Sequence, residues 1–250
     1  MIKIFEYFFK KEIPVLMYHR LINNKDEIGK NTIYLNVDEF EKQLKYLKDN
    51  NYTTITFKDL YKIPKKERKN KKYIILTFDD GYKDNYNLLF PLLKKYNMKA
   101  VIYMVSDEKY NIWDVEASGE KRFDLMSKNE MLEMYKSGLV EFGGHTLHHP
   151  KLDTLSEEEQ RYEIEENKIY LEKTLGEKLY SFAYPYGIFN ETSKKIVKEL
   201  GFNYGIATDS GKFYIEDDLY QVRRIGIFSD ITMSKFKRRV KGNYNLKYTR

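Results

Sequence analysis

The chain contains no cysteine, which removes structural disulfides, thiolate nucleophiles and sulfur-ligated metals together. Any metal site must therefore be built from histidine and carboxylate. Proline (5) and glycine (13) are sparse among 250 residues, too few for a collagen-like or Pro/Gly-rich disordered chain. No apolar run approaches the roughly 18–20 residues that span a bilayer, and the longest strong ones are short, such as Tyr73–Phe78 and Ala100–Val105. The opening MIKIFEYFFKKEIPV is also too broken for a secretory signal, because Glu6 splits it and Lys10, Lys11 and Glu12 close it without a small-residue cleavage site. The expected location is cytoplasmic, peripheral at the inner membrane face at most, with an extracellular location as the alternative. What is present, 42% hydrophobic and 33% charged residues, is the composition of a packed globular chain. The excess of 44 Lys and Arg over 38 Asp and Glu, +6 net, reads as a solvated lysine-rich exterior and gives no reason to invoke nucleic acid.

Short β-branched or apolar runs alternate with longer amphipathic stretches along the chain, the pattern of a parallel sheet covered by helices. Strands are expected at Pro14–Tyr18, Tyr52–Ile55, Tyr73–Phe78, Ala100–Val105, Val140–Gly143, Ser181–Tyr184, Tyr204–Ala207 and Arg224–Phe228. Asp38 with Glu41, Ser127 with Glu130 and Ser156 with Glu159 have capping-box spacing and mark helix starts. The stretch 156–175 carries Ile164, Leu171 and Leu175 amid dense charge and stops at Gly176, so it reads as a long surface helix with a solvated outer face. No repeat or composition break divides the chain. We expect an N-terminal segment 1–12, one domain over 13–235 and a basic, solvated C-terminal tail 236–250, where six Lys or Arg occur without an acid. Ser106–Met126 has neither helical nor strand period and holds the only tryptophan, Trp113. A connection of that length suits a binding loop or lid, with Trp113 either plugging it onto the core or lining a substrate site.

All four histidines fall in two places, His19 in PVLMYHR and His145, His148 and His149 in GGHTLHHP. Residues 145 and 149 have the spacing that lets two imidazoles on one turn reach a single ion. His148 competes at three residues' distance, and Pro150 disfavours helix at His149, so spacing leaves the choice open. Carboxylates follow the apolar strand of ILTFDDGY, where Asp79 and Asp80 meet Gly81. At the carboxyl end of a parallel strand such a pair can divide labour, one coordinating a cation and the other taking a proton from water. Asp-Asp-Gly is equally an ordinary turn or helix-capping sequence.

Thr77-Phe78-Asp79-Asp80-Gly81, then His145-Thr146-Leu147-His148-His149, then Phe182-Ala183-Tyr184-Pro185-Tyr186-Gly187 resemble, in order, the first three motifs of the polysaccharide deacetylases, carbohydrate esterase family 4 with its NodB-homology domain. The resemblance covers roughly residues 13–230. It implies a single-domain α/β fold, a distorted (β/α)7-type barrel, and metal-dependent removal of N-acetyl groups from amino sugars. By motif it makes Asp79 the catalytic base, Asp80, His145 and His149 the metal ligands, and Tyr186 the residue whose backbone N–H helps hold the oxyanion. His148 then drops out. The donor set suits Zn2+ best, with Co2+, Ni2+, Mn2+ or Fe2+ as alternatives.

Two departures stand out. No histidine follows His149, although most of the family places its general acid in a late Leu-x-His motif. His19, in Val15-Leu16-Met17-Tyr18-His19, resembles the circularly permuted subgroup that deacetylates poly-N-acetylglucosamine, whose acid histidine lies on the first strand. The other departure is Ala183, where many members carry an arginine that orients the catalytic aspartate. Arg223 or Arg224 is the expected replacement, since alternate strand residues face opposite sides. Trp113, Tyr184 and Pro185 complete the candidate substrate-binding set. The expected partner is a carbohydrate carrying N-acetyl groups, and the oligomeric state is left open. Two other functions are weighed: a non-catalytic carbohydrate-binding barrel, and a metal-dependent amidase acting on peptide or cyclic amides.

Overall fold

The structure, a computed structural model, describes residues 12–241 except 209, 212 and 213. In chain order the elements are β1 (Val15–Tyr18), β2 (Arg20–Ile22), β3 (Tyr34–Asn36), α1 (Val37–Asp49), β4 (Tyr52–Thr54), α2 (Phe57–Lys62), β5 (Lys72–Phe78), α3 (Phe90–Tyr96), β6 (Ala100–Met104), α4 (Ile112–Ser118), α5 (Lys128–Lys136), β7 (Val140–Gly144), α6 (Glu157–Leu175), β8 (Ser181–Ala183), α7 (Glu191–Glu199), β9 (Tyr204–Ile206), β10 (Ile225–Gly226) and α8 (Met233–Val240). The main sheet runs β10-β1-β5-β6-β7-β8-β9, with β4 beside the start of β5. Its pairings are parallel. Val222 exchanges backbone hydrogen bonds with Gly205 and Ala207 at β9, and Ile225 then pairs with Leu16 of β1. The segment from Val222 to Gly226 thus joins the two sides of the curled sheet, giving the distorted (β/α)7 barrel expected from the sequence.

The two-residue period of a strand decides what enters the barrel. Leu16, Leu76, Phe78, Ile102 and Phe142 pack outward in the large cluster shared with the helices, whereas Val15, Ile75, Val101, Tyr103 and Ala183 fill a second, inner cluster. Continuing that inner phase toward the carboxyl ends brings Met17 to His19, Thr77 to Asp79 and Gly143 to His145. Gly143 is bare for a reason: a Cβ there would lie 2.4 Å from the Tyr103 ring and 2.8 Å from the Ser181 carbonyl oxygen. Tyr103 fills that space and donates to Ser181 Oγ at 3.0 Å.

The capping boxes at Ser127 and Ser156 form, and α6 ends at Gly176 with φ 69°. The one at Asp38 does not. Asn36 caps α1 two residues earlier, accepting from the Asp38 N–H at 2.9 Å, while Glu41 is drawn away to Lys95 and to the Tyr96 hydroxyl. Ser106–Met126 is not structureless: it contains α4, ended by Gly119 at φ 65°. The solvated tail expected from residue 236 begins instead inside α8, whose Phe236 and Val240 are buried. Phe236 lies edge-on to Tyr46 of α1 at 6.1 Å, so its apolar side chain holds the basic helix to the barrel wall. The rest of that segment from 242, and residues 1–11 of the N-terminal segment, lie outside the described residues.

Candidate active site

Strand phase places Asp79 inside the mouth of the barrel, but Asp80, its neighbour, would face away in extended backbone. Asp80 instead has φ 72° and Gly81 φ 78°, and this turn brings both carboxylates inward. Positive φ recurs at Thr146 (68°), His149 (62°) and Tyr186 (58°). Each such conformation costs an L residue on the order of 1–3 kcal/mol and survives only where surrounding contacts hold it. Here the holding contacts are visible. Thr146 Oγ1 accepts the His149 N–H at 2.9 Å, and Asn167, fully buried on α6, accepts the His145 N–H at 3.1 Å while donating to the carbonyls of Thr146 and Met104 at 2.7 and 3.0 Å.

Asp80 Oδ1 lies 3.2 Å from His145 Nε2 and 3.3 Å from His149 Nε2. These three residues are buried, and one ligand atom from each lies within 4.8 Å of the other two. His145 Nδ1 is 2.7 Å from the Ala183 carbonyl oxygen, a partner that would keep the Nδ1 proton and leave the Nε2 lone pair to a cation when one is bound. Burial pushes the Asp80 carboxyl up, but hydrogen bonds from His145 and His149 outweigh it and hold the group well below the usual range. Burial depresses His149 more than Asp80 raises it. Asp80 and His149 are thus held toward the deprotonated forms a cation needs, and the donor set of the three residues fits a divalent metal.

Asp79 lies beside them with a different partner. Arg224 grips it with Nη1 at 2.6 Å from Oδ1 and Nη2 at 2.7 Å from Oδ2, and gives two further donors to Thr77 Oγ1 and the Ala207 carbonyl. Burial works to raise the Asp79 carboxyl, but the Arg224 guanidinium overcomes it and keeps the pKa below normal. Arg223 points elsewhere and pairs with Glu12 at 3.1 Å. His19 follows β1, and its Nε2 is 3.9 Å from Asp79 Oδ2.

These groups share a cavity of about 320 Å³ lined also by Met17, Asn31, Trp113, Asp114, Tyr186 and Phe228. Larger clefts of about 480 and 350 Å³ open elsewhere, but neither gathers this constellation. Trp113 is buried and its ring lies 4.5 Å from that of His149, which has Tyr186 at 4.5 Å as well. Trp113 thus packs its loop onto the core and also walls the cavity. Tyr184 and Pro185 do not line it. The Tyr184 hydroxyl donates to the Tyr220 carbonyl at 2.9 Å and its ring stacks on Phe189, while buried Pro185 opens the tight turn carrying Tyr186. His148 turns outward, with Nδ1 2.7 Å from Glu163 and Nε2 3.2 Å from Asp107.

Sequence reasoning missed Asn167, Glu163, Asn31 and Asp114. The first two sit on the helix read as a surface helix whose charges form a solvated outer face, yet Glu163 also accepts the N–H groups of Leu147 and His148 at 3.0 Å each. The available signal was Asn167 lying between Ile164 and Leu171 on the buried stripe.

The polysaccharide deacetylase family model matches residues 66–205. The chain belongs to the polysaccharide deacetylase family. Within it, the chain is 29% identical over 226 residues to the putative polysaccharide deacetylase YxkH of Bacillus subtilis, covering 90% of this chain and 75% of that one. It is 30% identical over 211 residues to the poly-beta-1,6-N-acetyl-D-glucosamine N-deacetylase of Staphylococcus aureus, covering 80% and 70%. Among solved structures, Streptococcus pyogenes deacetylase PplD in complex with acetate superposes with a TM-score of 0.76 at 28% identity, covering 92% of this chain and 98% of that one. This family membership, with the buried Asp–His–His triad, makes the protein a metal-dependent deacetylase. No helix among the described residues is long and apolar enough to cross a membrane.

Proposed function

We propose that the protein hydrolyses the N-acetyl group of N-acetylglucosamine units in a glycan, with Asp80, His145 and His149 holding Zn2+ and Asp79, His19 and Tyr186 performing the chemistry. The observation that carries this reading is the division of two adjacent carboxylates, Asp80 given to the paired imidazoles and Asp79 to Arg224. The relation to a poly-N-acetylglucosamine deacetylase supports the sugar. Two imidazoles and a carboxylate suit zinc, and the other divalent ions named above can fill the same donors.

Amide hydrolysis needs a strengthened nucleophile, a stabilised oxyanion and a proton for the departing nitrogen. When bound, a divalent ion supplies Lewis acidity that polarises the acetyl carbonyl and loosens a proton of water. Asp79 takes that proton at its carboxylate, which Arg224 keeps ionised and fixed in direction. The backbone N–H of Tyr186 donates to the oxygen of the tetrahedral species. His19, beside Asp79, gives its proton to the nitrogen as acetate separates from the free amino sugar.

The test is acetate release from N-acetylglucosamine oligomers, abolished by chelation and restored by Zn2+. Asp79→Asn loses turnover by at least about 100-fold, as removal of a general base does, yet keeps its metal, whereas Asp80→Asn loses both. Equal metal loss in the two variants would overturn the carboxylate assignment, and turnover of peptide or cyclic amides in preference to acetylated sugars would favour the amidase reading. Zinc binding without turnover would favour the binding barrel. Fractionation of the untagged protein then tells an intracellular glycan precursor from a finished surface polymer as the substrate.

A further inference from the structure

One wall of the cavity comes from α4. Asp114, on its first turn, is half-buried and lines the cavity with Asn31 and Trp113. That wall is fastened by Glu120, whose buried carboxylate accepts the backbone N–H groups of Lys30, Asn31 and Lys121 at 2.8, 2.6 and 2.6 Å. Lys121 Nζ adds a contact to the Ile28 carbonyl at 2.8 Å. The loop between β2 and β3 and the segment after α4 are therefore one rim, and Asn31 and Asp114 face the cavity from its two halves.

Of the three carboxylates lining the cavity, Asp79 is taken by Arg224 and Asp80 by the histidine pair. Asp114 differs. Burial first, then the anions Asp80 and Glu120, push its carboxyl up to about 6, against hydrogen bonds from the neutral donors Asn31 and Trp113. An ionised carboxylate has about four acceptor positions, so two neutral donors leave acceptor capacity on a side chain that lines the cavity. A sugar is dense in hydroxyl donors, and a hydroxyl entering a partly desolvated cavity needs an acceptor there.

We propose that Asp114 accepts a hydrogen bond from a ring hydroxyl of the sugar whose acetamido group is being hydrolysed, and so makes the site specific for acetylated sugars over simple amides. The inference rests on the deacetylase reading above.

The test is a cycle that crosses protein and substrate changes. Acetate release by the wild-type enzyme, Asp114→Ala and Asp114→Asn is measured on an N-acetylglucosamine oligomer and on analogues lacking the 3-hydroxyl or the 6-hydroxyl of the reacting unit. In the wild type, loss of the recognised hydroxyl lowers kcat/KM about ten- to hundredfold, mainly through KM. In Asp114→Ala the same analogue costs less than about twofold, because the partner is already gone, and Asp114→Asn, which keeps an acceptor oxygen, falls between. Equal losses in wild type and Asp114→Ala for every analogue overturn the proposal. So does a drop in Asp114→Ala explained wholly by lost zinc or a lowered thermal midpoint, both measured on the same samples. A wild-type enzyme that binds zinc but releases acetate from no sugar sinks the deacetylase reading, and this inference with it.

Discussion

Two acids of the barrel interior, Asp79 and Glu141, show how a single side chain's neighbours decide its charge. Both are buried. Asp79 has a bidentate guanidinium and stays ionised. Glu141, further down β7, accepts the Lys58 N–H on Oε2 at 2.8 Å, while its Oε1 meets no partner. Burial first, against a hydrogen bond from Thr56 and that N–H, pushes Glu141 up to about 7 from 4.5. A carboxyl raised on folding contributes its full stability below the unfolded pKa and loses it as pH climbs through the folded one. Glu141 should thus destabilise the protein progressively between pH 4.5 and 7 and fully above it. Glu141→Gln, which keeps an acceptor for Lys58 and sheds the charge, should leave stability nearly unchanged at pH 4.5 and gain up to about 3 kcal/mol at pH 8. Denaturant midpoints at the two pH values check this, and an equal gain at both would mean packing, not ionisation, is at work.

At the scale of elements, α6 does more than cover the sheet. Residues 163 and 167 lie one turn apart on one side, and between them they take the N–H groups of His145, Leu147 and His148. Asn167→Ala removes the donors to Met104 and Thr146 as well, freeing a loop that carries positive φ at two positions. Its zinc affinity should fall about 10- to 100-fold, read by competition with a chelator, with a thermal midpoint in excess metal closer to wild type than in its absence. Unchanged affinity would reduce α6 to a packing element. Most strands of the main sheet were legible as short apolar runs, whereas β2 and β3, three residues each, were not expected; the candidate ligands stood out through the clustering of histidines and the family motifs, spacing alone leaving His148 and His149 open. The clamp was not legible, because an Asn and a Glu amid nine other charges on that helix differ from them only by which side of it they occupy. Alternation did narrow the arginine to Arg223 or Arg224 at Asp79, but not which, since phase at a strand two residues long is set by its neighbours. The helix α4 escaped because seven residues carry too little period to read.

At the scale of the whole molecule, the family match ends where the barrel still has to close. It spans 66–205, yet His19 precedes it and Arg224 follows it, and both reach Asp79. They meet because β10 lies beside β1. Pairing β10 with β1 therefore brings the proposed acid and the support of the proposed base together, while the three candidate metal ligands come wholly from within the matched span. Metal binding and catalysis should separate accordingly. Zinc at 100 times its Kd adds about 2.7 kcal/mol to the folded state, roughly 5–11 °C in Tm for a domain of this size. Asp80→Asn should abolish that shift. His19→Ala, altered at the seam and not at the ligands, should keep most of it while losing acetate release. If His19→Ala loses the Tm shift to the same extent as Asp80→Asn, the first strand is part of the metal site itself, and His19 is not the separate acid proposed for the leaving amine.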